Sequence, residues 1–438
     1  MSAPERPPRV VIHPGSGGYA PARRWDAASF AAVADALHAE RGAQIVLVGG
    51  PGDGAAAVRA AMQAEALDLS GQTTLPELAA LLAGADLFIG ADSGVMHLAA
   101  AAGAPVVAIF GPSSHTAWAP WAPGGRAAVV RSGVACSPCS YVGHSIGLRE
   151  GCPARTCMRL VTPAQVLDAA RALLDGQPPP PVPPLPGPLF DRRVPILGFP
   201  VDAITYDEWL ALIGGWIRGP GARAARQVCT INPEFIMIAR RDPNFTHILR
   251  RAALCVPDGI GLLWAARRAG QPLPQRVTGS DGVPIIAARA AQEGWRLFLL
   301  GAAPGIAERT ADILRARCPG LQIAGTYSGS PAPEEEDAIV ALVNASGADI
   351  LFVAYGAPVQ DKWIARNLPR LRVAMAMGVG GAFDFIAGVV PRAPHWMRRL
   401  GLEWLFRLIR QPWRARRMLR LPRFVLAVLL ERRPASPR

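Results

Sequence analysis

Proline dominates one short stretch near the middle of the chain. Eight of the eleven residues from 178 to 188 are proline, a composition that forms an extended spacer rather than a packed helix or strand. A chain of 438 residues is also longer than one hydrophobic core usually serves. The stretch therefore predicts a boundary, with a first domain at 1–176, a linker at 177–193, a second domain at 194–390 and an appendage at 391–438.

Short apolar runs that end in turn or polar residues occur on both sides of this linker. They lie at 10–15, 45–50, 87–92 and 106–111 before it, and at 228–232, 254–259, 297–301, 350–356 and 373–381 after it. Amphipathic stretches such as 27–40 and 75–83 separate the first set. This alternation predicts an α/β fold of two Rossmann-like parallel-sheet domains, whose ligands bind beyond the carboxyl ends of the strands.

Positive charge is concentrated at the end of the chain. The formal net charge is +13, and residues 391–433 hold twelve arginines against two glutamates. Such a segment suits phosphate-bearing partners, which are nucleic acid, anionic lipid or diphosphate substrates. A nucleic-acid-binding module is disfavoured because the charge is confined to the tail and no recognisable DNA- or RNA-binding motif is present.

Two stretches of the sequence bear on where the protein is located in the cell. The start, MSAPERPPR, lacks the apolar core of a secretory signal, which predicts a cytoplasmic protein without disulfides. The weakly polar stretch 373–390 is interrupted by Gly378, Gly380, Gly381 and Asp384. It is therefore predicted to form a buried strand, a glycine turn and a helix instead of a membrane span.

Polar residues follow three of the predicted strands in the second half. They are Thr230 and Asn232, Asp258, and Gln360. Taken alone, an Asp before Gly is commonly a turn residue, and an Asn before Pro often only starts a helix.

These residues occur together with further motifs. The motifs are RVTGSD (276–281), GAPVQDKW (356–363), MGVGGAFDFIAG (377–388) and RAPHWMRRLGLEWLFRLIRQPWR (392–414). The set, in this order, resembles the WecG/TagA/CpsF glycosyltransferases, family 26, from about residue 194 to about residue 433.

The resemblance implies an inverting transfer of a sugar from a UDP-sugar to a polyprenyl-diphosphate-linked saccharide. In known members the sugar is often N-acetylmannosamine, its uronic acid or glucose, and the products are cell-envelope or exopolysaccharide precursors. By motif, Asp258 is expected to be the general base. Thr230 and Asn232 are expected to line the same pocket, and Gln360 and Arg276 to contact substrate.

The resemblance also implies a metal-independent reaction, and no cofactor is expected. The second half contains no Asp-x-Asp motif, so arginines are the expected partners of the departing diphosphate. The resemblance selects Arg407, Arg414 and Arg417 for this role. Other tail arginines are expected to hold the protein peripherally on the cytoplasmic face of the inner membrane, namely Arg398, Arg399, Arg416, Arg420 and Arg423.

The first half carries HPGSGGYAPARRW, VLVGGPGD, a long segment ending in GADSGVMHLAAAAGAPVVAIFGP, and CMRLVTPAQV. Together these resemble the nucleotide-binding half of the family 9 heptosyltransferases. The resemblance implies that Asp92, Ser93 and Gly94 open a helix that receives the donor diphosphate, with His97 one turn further and Arg23 reaching the same phosphates. The alternative is that Asp92 and Ser93 only cap the helix and that His97 packs within it.

The domain that binds the acceptor in that family is missing here. An auxiliary, nucleotide-binding role is therefore expected for the first half, with heptosyltransferase-type activity as an alternative function. A non-catalytic membrane scaffold is a further alternative, which the retained Asp258, Thr230 and Asn232 argue against. A second copy of the chain, in a homo-oligomer, is among the expected partners.

Four cysteines lie close together in the sequence of the first half, at Cys136, Cys139, Cys152 and Cys157. The first two form a CxxC pair and the others a looser pair. The four thiols are therefore candidate ligands of a structural zinc. The alternative is a set of free, buried thiols.

Overall fold

The computed structural model describes residues 6–17, 20–122, 126–142, 145–147, 150–184, 187–394, 397, 403–410 and 418–431. Within it the chain divides into two compact units, Met1–Pro184 and Leu185–Arg438.

The first unit is built on a six-stranded sheet in which every strand pair is parallel. Its strands are β1 (Arg9–His13), β2 (Gln44–Leu47), β3 (Ala66–Asp68), β4 (Leu87–Ala91), β5 (Val106–Ile109) and β6 (Ala127–Val130). Their spatial order is β3-β2-β1-β4-β5-β6, the Rossmann order, which reverses between β1 and β4. A separate antiparallel pair follows, β7 (Ser140–Val142) and β8 (Ser145–Gly147).

Helices cover both faces of this sheet because alternate strand residues point to opposite sides. Val10 and Ile12 of β1 pack in one buried cluster with Leu37, whereas Val11 packs in the other with Leu78. The helices are α1 (Ala27–Arg41), α2 (Ala55–Ala61), α3 (Leu75–Ala83), α4 (Gly94–Ala101), α5 (His115–Trp118), α6 (Thr156–Arg159) and α7 (Pro163–Leu174), with a 3-10 turn at Pro21–Arg23.

The second unit begins with an antiparallel hairpin and continues with a second six-stranded parallel sheet. The hairpin is β9 (Arg193–Ile196) and β10 (Phe199–Asp202), and the sheet strands are β11 (Arg226–Ile231), β12 (Leu254–Pro257), β13 (Arg296–Gly301), β14 (Gln322–Tyr327), β15 (Ile350–Ala354) and β16 (Met375–Gly378). The spatial order of the sheet is β12-β11-β16-β15-β13-β14. Strand β11 therefore lies between β12 and β16.

The helices of this unit alternate with the strands and continue into the basic tail. They are α8 (Tyr206–Arg218), α9 (Pro233–Ala239), α10 (Pro243–Arg251), α11 (Ile260–Arg268), α12 (Gly279–Glu293), α13 (Ile306–Arg317), α14 (Glu336–Ser346), α15 (Val359–Asn367), α16 (Ala382–Ile386), α17 (Glu403–Arg410) and α18 (Arg420–Leu430). The predicted fold class is confirmed: two α/β units with parallel sheets, followed by a helical carboxy-terminus. The predicted strand, turn and helix within 373–390 correspond to β16 and α16.

Helix α18 of the tail packs against the body of the second unit. Phe424 and Val428 are buried, with 1% and 5% of their surface exposed, and α18 lies along α9. An ion pair joins Arg420 Nη1 to Glu234 Oε1 at 2.5 Å. Among the helices that the structure describes, none is both long and apolar enough to cross a lipid bilayer.

Removing the Phe424 ring is expected to weaken this packing. Phe424→Ala should lower the free energy of unfolding by about 3 kcal/mol or more, because it leaves a cavity against α9. The measurement is denaturant unfolding of the full-length protein. Leu426→Ala on the same helix, where the side chain is 56% exposed, is the matched control and should change it by less than about 0.5 kcal/mol. Equal effects of the two variants would contradict the packing of α18.

Candidate active site

The candidate site of the second unit lies where three neighbouring strands end. Strand β11 pairs with β12 so that Thr230 lies opposite Val256 and Ile231 opposite Pro257. Asp258 follows directly, and its backbone amide donates to the Ile231 carbonyl at 2.7 Å. On the other side of β11, the Thr230 hydroxyl donates to the Gly378 carbonyl at 3.4 Å. The predicted residues Thr230, Asn232 and Asp258 are thus brought to one edge of the sheet.

Asp258 is half-buried, and the loop that follows α11 approaches its carboxylate. The backbone amide of Gly279 donates to Asp258 Oδ2 at a long 3.4 Å. A side chain at position 279 would place its Cβ 3.0 Å from Thr230 Cγ2, so only glycine fits this approach without a shift. The residue after Asp258, Gly259, has a φ of 125°, which lets the chain turn from β12 into α11.

The hydroxyls of Tyr206 and Thr278 hold the end of the loop that leads into α12 at Gly279. The Tyr206 hydroxyl accepts from the Thr278 amide at 2.9 Å and donates to the Thr278 carbonyl at 3.4 Å. The Thr278 hydroxyl caps α12 by accepting from the Asp281 amide at 3.1 Å, and it donates to Asp281 Oδ2 at 3.0 Å. Burial raises the pKa of the Tyr206 phenol, which therefore remains protonated and able to donate.

Two arginines, Arg392 and Arg276, lie near the start of α12. Arg392 Nη1 lies 2.8 Å from Asp281 Oδ1. Burial alone would raise the pKa of Asp281, but the hydrogen bond and charge of Arg392 hold it below its usual value, with a further contribution from Arg276. Arg276 is half-buried and so belongs to the surroundings of the site.

Asn232 and Gln360 have clear structural roles at this edge. Asn232 Oδ1 accepts from the Phe235 amide at 2.9 Å and so caps α9. Gln360 is 2% exposed, and its Oε1 accepts from the amides of Gly356 at 3.1 Å and Gly380 at 3.0 Å. Gln360 therefore ties together the loops after β15 and β16, whereas contact with substrate stays a prediction.

The tail arginines that were predicted to bind the diphosphate lie largely outside the described residues. Arg407 belongs to α17, but its side chain lies outside the described residues, as do Arg414 and Arg417 in full. The same holds for Arg398, Arg399 and Arg416, whereas Arg420 and Arg423 lie on α18.

Tyr206, Asp281 and Arg392 are site residues that sequence reasoning did not single out. Asp281 and Arg392 lie within the motifs RVTGSD and RAPHW, so the motifs themselves were the available signal. Tyr206 lies outside all of these motifs. Only the approach of α8 to the loop identifies it.

The first unit has its own polar cluster at the point where β1 and β4 diverge. Arg23 Nη1 lies 3.0 Å from Asp92 Oδ2. Ser93 caps α4 by accepting from the Met96 amide at 3.3 Å, and its hydroxyl lies 3.2 Å from His13 Nδ1. The structure thus brings the predicted residues Arg23, Asp92 and Ser93 together at the start of α4. Gly94 is the first residue of that helix, and His97 lies half-buried one turn further.

A second carboxylate supports this cluster from the opposite side of His13. Asp53 Oδ2 lies 3.3 Å from His13 Nε2 and accepts from the Gly50 amide at 2.8 Å. Because a carboxylate only accepts, the Nε2–H of His13 donates. This hydrogen bond is the main reason why the pKa of Asp53 falls from 3.8 to about 2. The residue was not identified from the sequence.

The four cysteines of the first unit give the zinc hypothesis no support. Cys136 and Cys139 are buried, and burial raises the pKa of the Cys157 thiol to about 12. In the part of the chain with described coordinates, no three His, Cys, Asp or Glu side chains converge as metal ligands.

Two family models match the chain. The one described as the glycosyl transferase WecG/TagA/CpsF family matches residues 194–438, which is more than half of the chain. The chain belongs to the WecG/TagA/CpsF glycosyltransferase family. The model described as glycosyltransferase family 9 (heptosyltransferase) matches residues 2–147. Both predicted resemblances are confirmed.

Curated relatives agree with the family. Two proteins named N-acetylglucosaminyldiphosphoundecaprenol N-acetyl-beta-D-mannosaminyltransferase are similar to the second half. The protein from Bacillus spizizenii is 36% identical over 211 residues, covering 48% of this chain and 81% of the relative. The protein from Bacillus subtilis is 34% identical over 204 residues, covering 47% and 79%. This WecG/TagA/CpsF family member is therefore a glycosyltransferase, as predicted.

Solved structures resemble part of the chain. A family 9 glycosyl transferase from Veillonella parvula is 27% identical, with a TM-score of 0.32, over 39% of this chain and 46% of that protein. The ADP-heptose lipopolysaccharide heptosyltransferase II of E. coli is 30% identical, with a TM-score of 0.32, over 40% and 49%. The chain spans about half the length of each solved protein.

The Asp53 carboxylate gives a pH-dependent prediction for the first unit. A folded pKa below the unfolded value stabilises the fold above pH 3.8, and this contribution is lost as pH falls towards 2. Asp53→Asn should lower the free energy of unfolding by at most about 2 kcal/mol at pH 7 and by about half as much at pH 3. Denaturant unfolding of the full-length protein measures both values.

Asp168→Asn is the matched control in the same unit, since that side chain is 60% exposed. It should change stability by less than about 0.5 kcal/mol at either pH. A pH-independent difference for Asp53→Asn would contradict the prediction.

Proposed function

We propose that the second unit transfers a sugar from a UDP-sugar to a saccharide linked to polyprenyl diphosphate, with Asp258 as the general base. The position of Asp258 beyond β12, beside Thr230 and Asn232, is the observation that carries this proposal. The names of the two Bacillus relatives favour N-acetylmannosamine as the sugar and an N-acetylglucosaminyl-diphospholipid as the acceptor. The uronic acid of N-acetylmannosamine and glucose are the alternatives.

The proposed reaction forms one bond and breaks one. The acceptor hydroxyl oxygen attacks the anomeric carbon of the donor sugar as the Asp258 carboxylate takes the hydroxyl proton. The bond between that carbon and the diphosphate oxygen breaks, and the nucleoside diphosphate leaves with the electron pair. Attack opposite the leaving group inverts the anomeric configuration. A positioned carboxylate suits this task because a neutral hydroxyl is a poor nucleophile.

The departing diphosphate requires positive charge. We assign this role to Arg407, Arg414 and Arg417, supported by the twelve arginines between residues 391 and 433. The close packing of α18 on α9, next to the site, supports a tail that works beside the catalytic carboxylate.

The first unit is proposed to bind a nucleotide in support of this reaction. The favouring observation is the cluster of Arg23, Asp92 and Ser93 at the amino-terminal end of α4, where backbone amides attract phosphate. Transfer of heptose by this unit is the alternative.

Replacing the base tests the proposal directly. Asp258→Asn keeps an oxygen for the Gly279 amide but cannot take a proton, so turnover should fall by about 10² to 10⁴. The assay is UDP release from UDP-N-acetylmannosamine with a short-chain polyprenyl-diphosphate saccharide. Asp312→Asn, on the exposed face of α13, is the control and should turn over normally. Near-normal turnover of Asp258→Asn on saturating acceptor would refute the assignment.

A membrane surface is proposed as the second partner, on a region that we call the tail-helix face. It combines the exposed apolar side chains of α18 with Arg423 and with Trp264 of α11, and those apolar residues are Leu419, Val425, Leu426, Leu429 and Leu430. The two helices are in contact, since Arg268 Nη2 donates to the Leu429 carbonyl at 3.5 Å. Exposed leucines beside arginines are typical of a helix that lies in an anionic lipid interface.

Charge placed on the tail-helix face should weaken membrane retention. The double variant Leu426→Glu and Leu430→Glu should bind vesicles containing phosphatidylglycerol at least about tenfold more weakly, because it loses apolar burial and gains repulsion. Leu342→Glu, at an exposed leucine of α14, is the control and should bind as the wild type does. Flotation of the full-length protein measures both. Equal retention of the double variant would argue against this face.

A further inference from the structure

The Arg392 side chain is held by contacts with Asp281 and with the Phe385 ring. Its Nη1 lies 2.8 Å from Asp281 Oδ1, across 111 residues of sequence. Its guanidinium also lies over the Phe385 ring, 5.7 Å from the ring centroid. Only 24% of its side chain is exposed. Arg392 is therefore a fixed group of the second unit, although it opens the basic tail.

The partner of Arg392 belongs to the first turn of α12. Asp281 and Thr278 bond to each other twice, since the Thr278 hydroxyl both accepts from the Asp281 amide and donates to its carboxylate. Thr278 is held from the other side by the Tyr206 hydroxyl, which contacts both its amide and its carbonyl. The Arg392 contact and the Tyr206 contact thus hold the same turn.

The residue between these two contacts faces the catalytic carboxylate. Gly279 follows Thr278, and its amide donates to Asp258 Oδ2 at 3.4 Å. A Cβ at position 279 would lie 3.0 Å from Thr230 Cγ2, so the Gly279 backbone passes close to the Thr230 side chain. A shift of the turn would therefore change the distance to Asp258 and the contact with Thr230 together.

We propose that Arg392 is a positioning residue for the catalytic carboxylate: by holding Asp281, it fixes the turn whose Gly279 amide faces Asp258. The proposal rests on the function proposed above, in which Asp258 takes the acceptor proton. Arg392 itself touches neither the reacting atoms nor the diphosphate in this scheme. It acts through Asp281, Thr278 and Gly279 in sequence.

The geometry explains why an arginine suits this position. A planar guanidinium can bond to a carboxylate edge while its face lies on an aromatic ring, and Arg392 does both. Lysine would keep the charge but lose the stacked plane. Glutamine would lose the charge and leave the Asp281 carboxylate without this partner.

The test compares variants of both partners in the full-length protein. Arg392→Gln and Asp281→Asn should each lower kcat by roughly 10- to 100-fold, since small displacements of a base are costly. The KM for the UDP-sugar should change by less than about twofold, because the donor is held elsewhere. Arg392→Lys should recover much of the lost kcat.

Two readouts separate positioning from general damage. The double variant of Arg392→Gln and Asp281→Asn should be no slower than the worse single variant, because both break one contact. The acid limb of the pH-rate profile should move to higher pH, since the ionised Asp258 carboxylate loses the Gly279 amide donor. The Arg392 variants keep Arg276 and the Tyr206 phenol, whereas Asp281 loses the partner that holds its pKa below the usual value.

Arg315→Gln is the matched control. This arginine also pairs with an aspartate, Asp312, at 3.1 Å, but on the exposed face of α13. It should leave kcat, KM and the pH profile unchanged. Unfolding midpoints are measured for every variant, and should Arg392→Gln not fold, Arg392→Lys and Asp281→Asn decide the matter through the same readouts.

Three results would overturn the proposal: near-wild-type kcat for Asp281→Asn and the Arg392 variants, effects confined to KM, or losses that multiply in the double variant. The two proposals fail differently. An inactive Asp258→Asn together with a normal Arg392→Gln removes only the positioning role. An active Asp258→Asn removes the base assignment, and the positioning role with it.

Discussion

Burial of the parallel strands on both faces is the constraint on which the rest of the structure depends. Within β11, Val228 and Cys229 are completely buried, so a polar side chain can reach solvent only where the strand ends. All strands of a parallel sheet end at the same edge, and the order β12-β11-β16 sets three of those ends side by side. Asp258, Thr230 and the Gly378 carbonyl meet there for this reason, and chemistry elsewhere on the sheet would require a polar group inside the core.

Helix capping and ligand binding draw on the same groups at this edge. Asn232 and Thr278 cap the helices that follow their loops, and Ser93 does the same in the first unit. A cap satisfies one backbone amide of the first turn, while neighbouring amides remain directed at the space where a substrate would lie. The structural and functional interpretations of such residues are therefore compatible, and a capping bond does not argue against a role in binding.

Sequence reasoning could predict what depends on local pattern, and much less of what depends on distant contacts. The strands and the position of Asp258 after β12 follow from apolar runs and turn residues, which are local signals. The pair Arg392 and Asp281 spans 111 residues and could not be read from spacing. Tyr206 acts through its hydroxyl on a backbone 72 residues away. Gln360 was recognised by motif, but its buried position between two glycine amides was not foreseen.

The two units surround the carboxylate at a strand end with different groups. In the first unit Arg23 Nη1 lies 3.0 Å from Asp92 Oδ2. Beside this pair, the Ser93 hydroxyl lies 3.2 Å from His13 Nδ1, and the other ring nitrogen of His13 lies 3.3 Å from Asp53 Oδ2. An arginine held in place by a carboxylate is a suitable phosphate ligand. In the second unit the Gly279 amide donates to Asp258 Oδ2, and Arg392 holds Asp281, two residues beyond Gly279. The pair of Arg23 and Asp92 at the start of α4 therefore supports the anion-binding role proposed for the first unit.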